Sequence, residues 1–202
     1  MLAIIAARFQ PPVVAFFTFT DMDINTPLGR KSLKDEREAV ERFRELHPAF
    51  GWMETEKGQP AAVDGFFYAY SQSPIANSYT MSAVVEVKCR KESREHFRTH
   101  FDNTWLITHQ KLVDGQKISK LCRIPLVGIL WTTPDRHLCV VKLTRRDGTY
   151  CFDFEVRETE TQATINGGRA RRANAFIPLQ YATEYPSHYT AKTQNEGELN
   201  NG

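Results

Sequence analysis

Between residues 32 and 47 the apolar side chains Leu33, Val40, Phe43 and Leu46 form one stripe through a densely charged segment. That spacing predicts a helix with a single buried face. Ser32 followed three residues later by Asp35 resembles a capping box, and Pro48 supplies a stop. Shorter apolar runs follow at 51–56, 62–70 and 81–90, separated by Gly58-Gln59-Pro60 and by a 71–78 stretch containing Pro74 and Asn77. These read as three strands of an antiparallel meander joined by turns. Further along, the pattern predicts a short polar helix at 92–101, a strand at 105–108, a helix at 110–122, and strands at 127–132 and 138–143 around the turn Thr133-Pro134-Asp135-Arg136. The predicted class is α/β, a central mixed β-sheet flanked by helices.

The third strand carries the most informative chemistry. In Ser82-Ala83-Val84-Val85-Glu86-Val87-Lys88-Cys89 an apolar run presents two opposite charges. Alternation along a strand puts Glu86 and Lys88 on one face and Val85 and Val87 on the other. The preceding strand, Ala61-Ala62-Val63-Asp64-Gly65-Phe66-Phe67, carries a single carboxylate. On neighbouring strands, Asp64 and Glu86 could hold a divalent metal between them. A Glu-x-Lys pair by itself is commonly an exposed salt bridge, and Asp64 by itself has a competing reading as a turn former beside Gly65; the combination gives the pattern its weight. Glu36 shares the edge of the helix's apolar face, although Glu38 or Glu41 could fill the same role.

A helix with Glu36, a strand with Asp64 and a strand ending in Glu86-Val87-Lys88, followed by a helix, resembles the PD-(D/E)xK nuclease superfamily in motif and element order. Asp64 and Glu86 are separated by 22 positions, which suits two adjacent strands and a loop. The likeness covers residues 32–132, and Glu36-Arg37-Glu38 looks most like the archaeal Holliday-junction resolvases, while phage and restriction nucleases share the same core. Val63 stands where the superfamily often has proline. The resemblance implies a restriction-endonuclease-like core (α-β-β-β-α-β) and a metal-dependent enzyme hydrolysing phosphodiester bonds in DNA. Asp64, Glu86, Lys88 and Glu36 would be its catalytic residues. Mg2+, replaceable by Mn2+, would be held by Asp64, Glu86 and the Val87 carbonyl.

Those residue types suit the chemistry. Phosphodiester hydrolysis needs an activated water, a stabiliser of charge on the phosphoryl oxygens and help for the departing oxygen. Magnesium prefers oxygen ligands and keeps several waters, so two carboxylates and a carbonyl complete only part of its shell. Lys88, flanked by carboxylates, is expected to orient water and stabilise charge; acting as a base would require a depressed pKa. Glu36 would bind a second metal or a metal-bound water. The rival reading is a catalytically silent nucleic-acid-binding or assembly module that retains the nuclease fold.

Composition changes this picture little. The 202 residues carry a formal net charge of +2 and 41% hydrophobic content, enough for one domain with its own core. Cys89, Cys122, Cys139 and Cys151 show no CxxC spacing, so zinc and disulfide scaffolds are poorly supported and a reduced, cytoplasmic chain is the simpler expectation. The apolar start is interrupted by Arg8, Gln10, Pro11 and Pro12, which disfavours a signal peptide; residues 13–20 could add a strand. No apolar run reaches the roughly 20 residues that span a bilayer, so no membrane partner is expected. Candidate phosphate contacts are Arg90, Lys91 and Arg94 after the third strand, and Arg169, Arg171 and Arg172 in a flexible small-residue segment with Phe176 or Tyr181 nearby for stacking. Gln110, just before the second main helix, could approach the site, and Lys111 could contact phosphate. A homodimer is conceivable, since cutting two strands often uses two sites. The expected organisation is an extension over 1–31, the nuclease-like domain over 32–184 and a disordered polar tail over 185–202.

Overall fold

The computed structural model describes residues 26–57, 61–72, 77–160 and 171–188. The extension before Thr26, Arg169 and the residues after His188 therefore lie outside the described residues.

The first helix, α1, spans Pro27–Leu46. It starts earlier than the sequence pattern predicts, because Thr26 caps it: its side chain accepts from the Gly29 N–H at 3.0 Å, and proline occupies the first turn. Ser32 thus lies inside the helix. Three strands follow, β1 (Phe50–Glu54), β2 (Gly65–Gln72) and β3 (Asn77–Arg90), and they form the expected antiparallel meander. Then come α2 (Arg94–His100), β4 (Thr104–Thr108), α3 (His109–Cys122), β5 (Leu126–Thr132) and β6 (His137–Lys142). Three further strands, β7 (Glu155–Glu160), β8 (Arg171–Pro178) and β9 (Ala182–Tyr185), close the described chain.

The main sheet is mixed, in the order β1-β2-β3-β5-β6-β9. Its one parallel pair is β3 with β5. A smaller antiparallel sheet has the order β4-β8-β7. Alternation in β3 divides the core. Ala83, Val85 and Val87 join Ala39, Val40 and Phe43 of α1 on one face. Val84 packs on the other face with Trp105, Ile107 and Leu112, beneath β4 and α3. Glu86 and Lys88 share the Val84 face by the same period of two, so the charged end of β3 opens toward α3. No helix among the described residues is long and apolar enough to cross a membrane.

Gly65, at the start of β2, sets the closeness of the strands beside Asp64. A Cβ there would lie 2.3 Å from the Trp52 ring and 2.6 Å from the Met53 carbonyl oxygen. Backbone cannot yield as a flexible side chain does, so Gly65→Ala is expected to force β1 away from β2. The expected cost is about 1–3 kcal/mol, read from the urea midpoint; an unchanged midpoint would show that β1 shifts freely.

Candidate active site

Pairing of β2 with β3 places Gly65 opposite Val85, and the Asp64 N–H continues the ladder to the Val85 carbonyl at 3.0 Å. Asp64 and Glu86 consequently meet at the lip of the sheet. Both are buried, Asp64 at 8% and Glu86 at 2% exposure. Asp64 Oδ2 accepts the Val87 N–H at 2.8 Å, fixing its carboxylate against β3. Thr55 supports the same corner, its hydroxyl donating to the Val63 and Asp64 carbonyls at 2.7 and 3.0 Å.

Three lysines surround these carboxylates. Lys88 Nζ donates to Glu86 Oε1 at 2.5 Å and to the Val87 carbonyl at 3.3 Å. Lys57, from the loop between β1 and β2, donates to Glu36 Oε2 at 3.0 Å and to Asp64 Oδ1 at 3.3 Å. Lys111, in the first turn of α3, stands 3.4 Å from Asp64 Oδ1 and 3.6 Å from Glu86 Oε2. Glu86 Oε2 is buried and accepts no hydrogen bond.

The two carboxyls respond to this field in opposite directions. Burial would raise Asp64, but Lys88, Lys111, Lys57 and the Val87 N–H outweigh it and hold the group well below the usual carboxylate range. Burial also raises Glu86, and the Asp64 charge adds to that; Lys88 and Lys111 offset it only in part. Burial would lower Lys88, yet Glu86 and Asp64 hold it above its ordinary value. Lys88 is therefore an ammonium at neutral pH, able to donate and not to act as a base.

Of the three candidate glutamates on α1, Glu36 is tied to this cluster, through Lys57. Glu38 pairs with Arg136 at 2.7 Å and Glu41 with Arg44 at 3.1 Å. Gln110 lies within α3 and its amide donates to Asp114. Lys57 carried no sequence signal beyond being a lysine in a turn, since antiparallel pairing of β1 and β2 is what returns it to Asp64. Lys111 was legible only as a generic phosphate contact.

The expected phosphate contacts divide. Arg90 donates to the Cys89 and Leu106 carbonyls, binding β3 to β4. Arg94 is 4% exposed and pairs with Glu184 at 2.6 Å. The guanidinium groups of both are turned into the protein and make structural contacts. Lys91 is exposed, as are Arg171 and Arg172. Those two arginines sit on β8, not in a flexible segment, since pairing with β7 orders them. The proposed stacking residues are also engaged: Arg157 stands 3.8 Å over the Phe176 ring, and Tyr181 stacks on Phe152 with centroids 4.5 Å apart.

The donors suit a hard divalent cation. Asp64 Oδ1 and the orphaned Glu86 Oε2 both face Lys111 Nζ, at 3.4 and 3.6 Å, and the Val87 carbonyl accepts from Lys88 at 3.3 Å. All three are oxygen donors, as magnesium requires. Compared with protein-family models, curated proteins and solved structures, the chain matches none.

Proposed function

We propose that this chain is a metal-dependent nuclease of the PD-(D/E)xK kind, hydrolysing phosphodiester bonds in DNA. The observation that carries the reading is the meeting of Asp64 and Glu86 across two paired strands, with Lys88 on the same face and bonded to Glu86. The order α1-β1-β2-β3-α3-β5, with β3 parallel to β5, supports a restriction-endonuclease-like core in which α2 and β4 are an insertion. In this reading Asp64, Glu86 and the Val87 carbonyl hold Mg2+ or Mn2+. A cation held there would supply a water that is nucleophilic near neutral pH and would neutralise charge on the phosphoryl oxygens. Lys88, held in place by Glu86, donates to the attacking water or to a phosphoryl oxygen as charge builds there. Glu36 positions Lys57 against Asp64, and Lys111, which faces both carboxylates, would be free to contact phosphate if a cation took its place. Lys91, Arg171 and Arg172 offer exposed charge to the DNA backbone. Cutting both strands of a duplex would call for two copies, so a homodimer belongs to the same proposal.

One observation favours a second reading. Lys57, Lys88 and Lys111 balance Glu36, Asp64 and Glu86 charge for charge without any cation, as a silent nucleic-acid-binding module would require. A cleavage assay decides between them, using linear duplex, single-stranded, branched and circular DNA with magnesium. The expected result is cleavage that disappears with chelator and falls at least about 100-fold in Glu86→Ala. DNA binding without cleavage, under magnesium or manganese, would select the silent module; absence of both would overturn the nucleic-acid reading.

A further inference from the structure

A second cluster lies on the same face of the main sheet, two strands along from Lys88 through Leu130, and no spacing in the sequence announces it. His137 and Cys139 are two apart on β6 and so share a face. Register places Glu184 of β9 directly opposite Cys139. Ligand atoms of the three residues lie within 4.8 Å of one another, the one such His/Cys/acid cluster among the described residues. We propose that His137, Cys139 and Glu184 form a binding site for a transition-metal ion of the zinc class, pinning the edge strand β9 to β6.

The spacing of the ligand atoms fits a metal site. Glu184 Oε2 stands 3.0 Å from His137 Nε2, yet Nε2 is buried and makes no aligned hydrogen bond. Two ligand atoms bound to one tetrahedral zinc at about 2.0–2.1 Å lie about 3.3 Å apart, close to that spacing. The other carboxylate oxygen, Oε1, is held by Arg94 at 2.6 Å. Arg94 therefore orients Glu184 without occupying Oε2, the second-layer support that metal-binding carboxylates commonly receive. Nε and Nη1 of Arg94 are buried without an acceptor, and a thiolate at Cys139 would supply one.

Charge also closes around a divalent ion. Asp135 accepts the Arg94 N–H at 2.8 Å and the Thr132 hydroxyl at 2.5 Å. Asp135, Glu184 and a Cys139 thiolate carry three negative charges; Arg94 and the metal carry three positive ones, once the thiol proton has been released to solvent. A thiolate and an imidazole select zinc or cobalt over magnesium, so this site is separate in chemistry as well as place from the Asp64–Glu86 cluster. Three protein ligands leave a fourth position for water.

The test is titration of the full, reduced chain with Co2+. Expected are thiolate-to-cobalt charge-transfer absorption in the near ultraviolet and d–d bands in the visible, both displaced by Zn2+. They should persist in Cys122→Ser, whose thiol is exposed, and vanish in Cys139→Ser. Glu184→Gln, checked as folded by circular dichroism, should weaken binding at least tenfold. Native chain that is folded but shows no charge-transfer band would overturn the proposal, and so would bands that survive Cys139→Ser. Neither readout depends on DNA cleavage, so this proposal and the nuclease reading fail separately.

Discussion

Replacing Lys88 with methionine is expected to abolish cleavage and to cost about 3–5 kcal/mol of stability at neutral pH, because it leaves a buried carboxylate without its close partner. Glu86 is 2% exposed and would keep only Lys111, 3.6 Å away. Its carboxyl already lies above the ordinary value through burial and the Asp64 charge, and loss of Lys88 raises it further. A carboxyl that holds its proton more tightly in the folded state favours folding at low pH; that contribution fades as pH rises above the unfolded value. The Lys88→Met deficit should therefore be small near about pH 4.5 and grow toward neutrality. Glu86→Gln in the same chain should restore most of the stability, since position 86 then buries no charge and Asp64 keeps Lys57 and Lys111, while cleavage stays lost. Urea unfolding of the native chain and both variants at two pH values reads this directly. A deficit that is independent of pH, or that Glu86→Gln does not relieve, would show that the contact is not a buried ion pair.

What the sequence disclosed follows from where side-chain periodicity is enforced. The α1 stripe and the alternation of β3 are legible because both faces of β3 are covered, one by α1 and the other by β4 and α3. That alternation puts Glu86 beside Lys88, so the centre of the candidate site can be read from eight consecutive residues. The last three strands could not be read this way. In β7, Glu-Val-Arg-Glu-Thr-Glu is almost wholly exposed, and β9 is four residues long; pairing to neighbours makes them strands, not propensity. Arg94 shows the same limit on the functional side. Its neighbours Arg90 and Lys91 suggest a basic track, but Glu184, ninety positions away, claims its guanidinium. Lys57 and Lys111 likewise reach Asp64 only through strand pairing and helix docking.

Asp64→Asn separates charge from shape at the same site. Asparagine keeps the size of the side chain, and its carbonyl oxygen can still accept the Val87 N–H that now bonds Asp64 Oδ2 at 2.8 Å. What it loses is the negative charge that Lys88 stabilises and that faces Lys57 and Lys111 at 3.3 and 3.4 Å. Cleavage is expected to fall at least about 100-fold, and stability by about 2 kcal/mol. Relief of Glu86, which the Asp64 charge raises, keeps that cost below the Lys88→Met value. The pH dependence distinguishes the two variants. Burial works against the Asp64 carboxylate, but the surrounding lysines hold its folded pKa below the unfolded value of 3.8. Its contribution is fully present above that unfolded value and is lost as pH falls through the folded one. The Asp64→Asn deficit should therefore stay level from neutrality to about pH 5 and shrink only below about pH 4, whereas the Lys88→Met deficit shrinks across the range above. Urea unfolding at a series of pH values compares the two curves. Deficits that run parallel would mean that Asp64 and Glu86 titrate as one group; divergence in these two windows would assign one carboxylate held charged by lysines and one held toward its neutral form by burial.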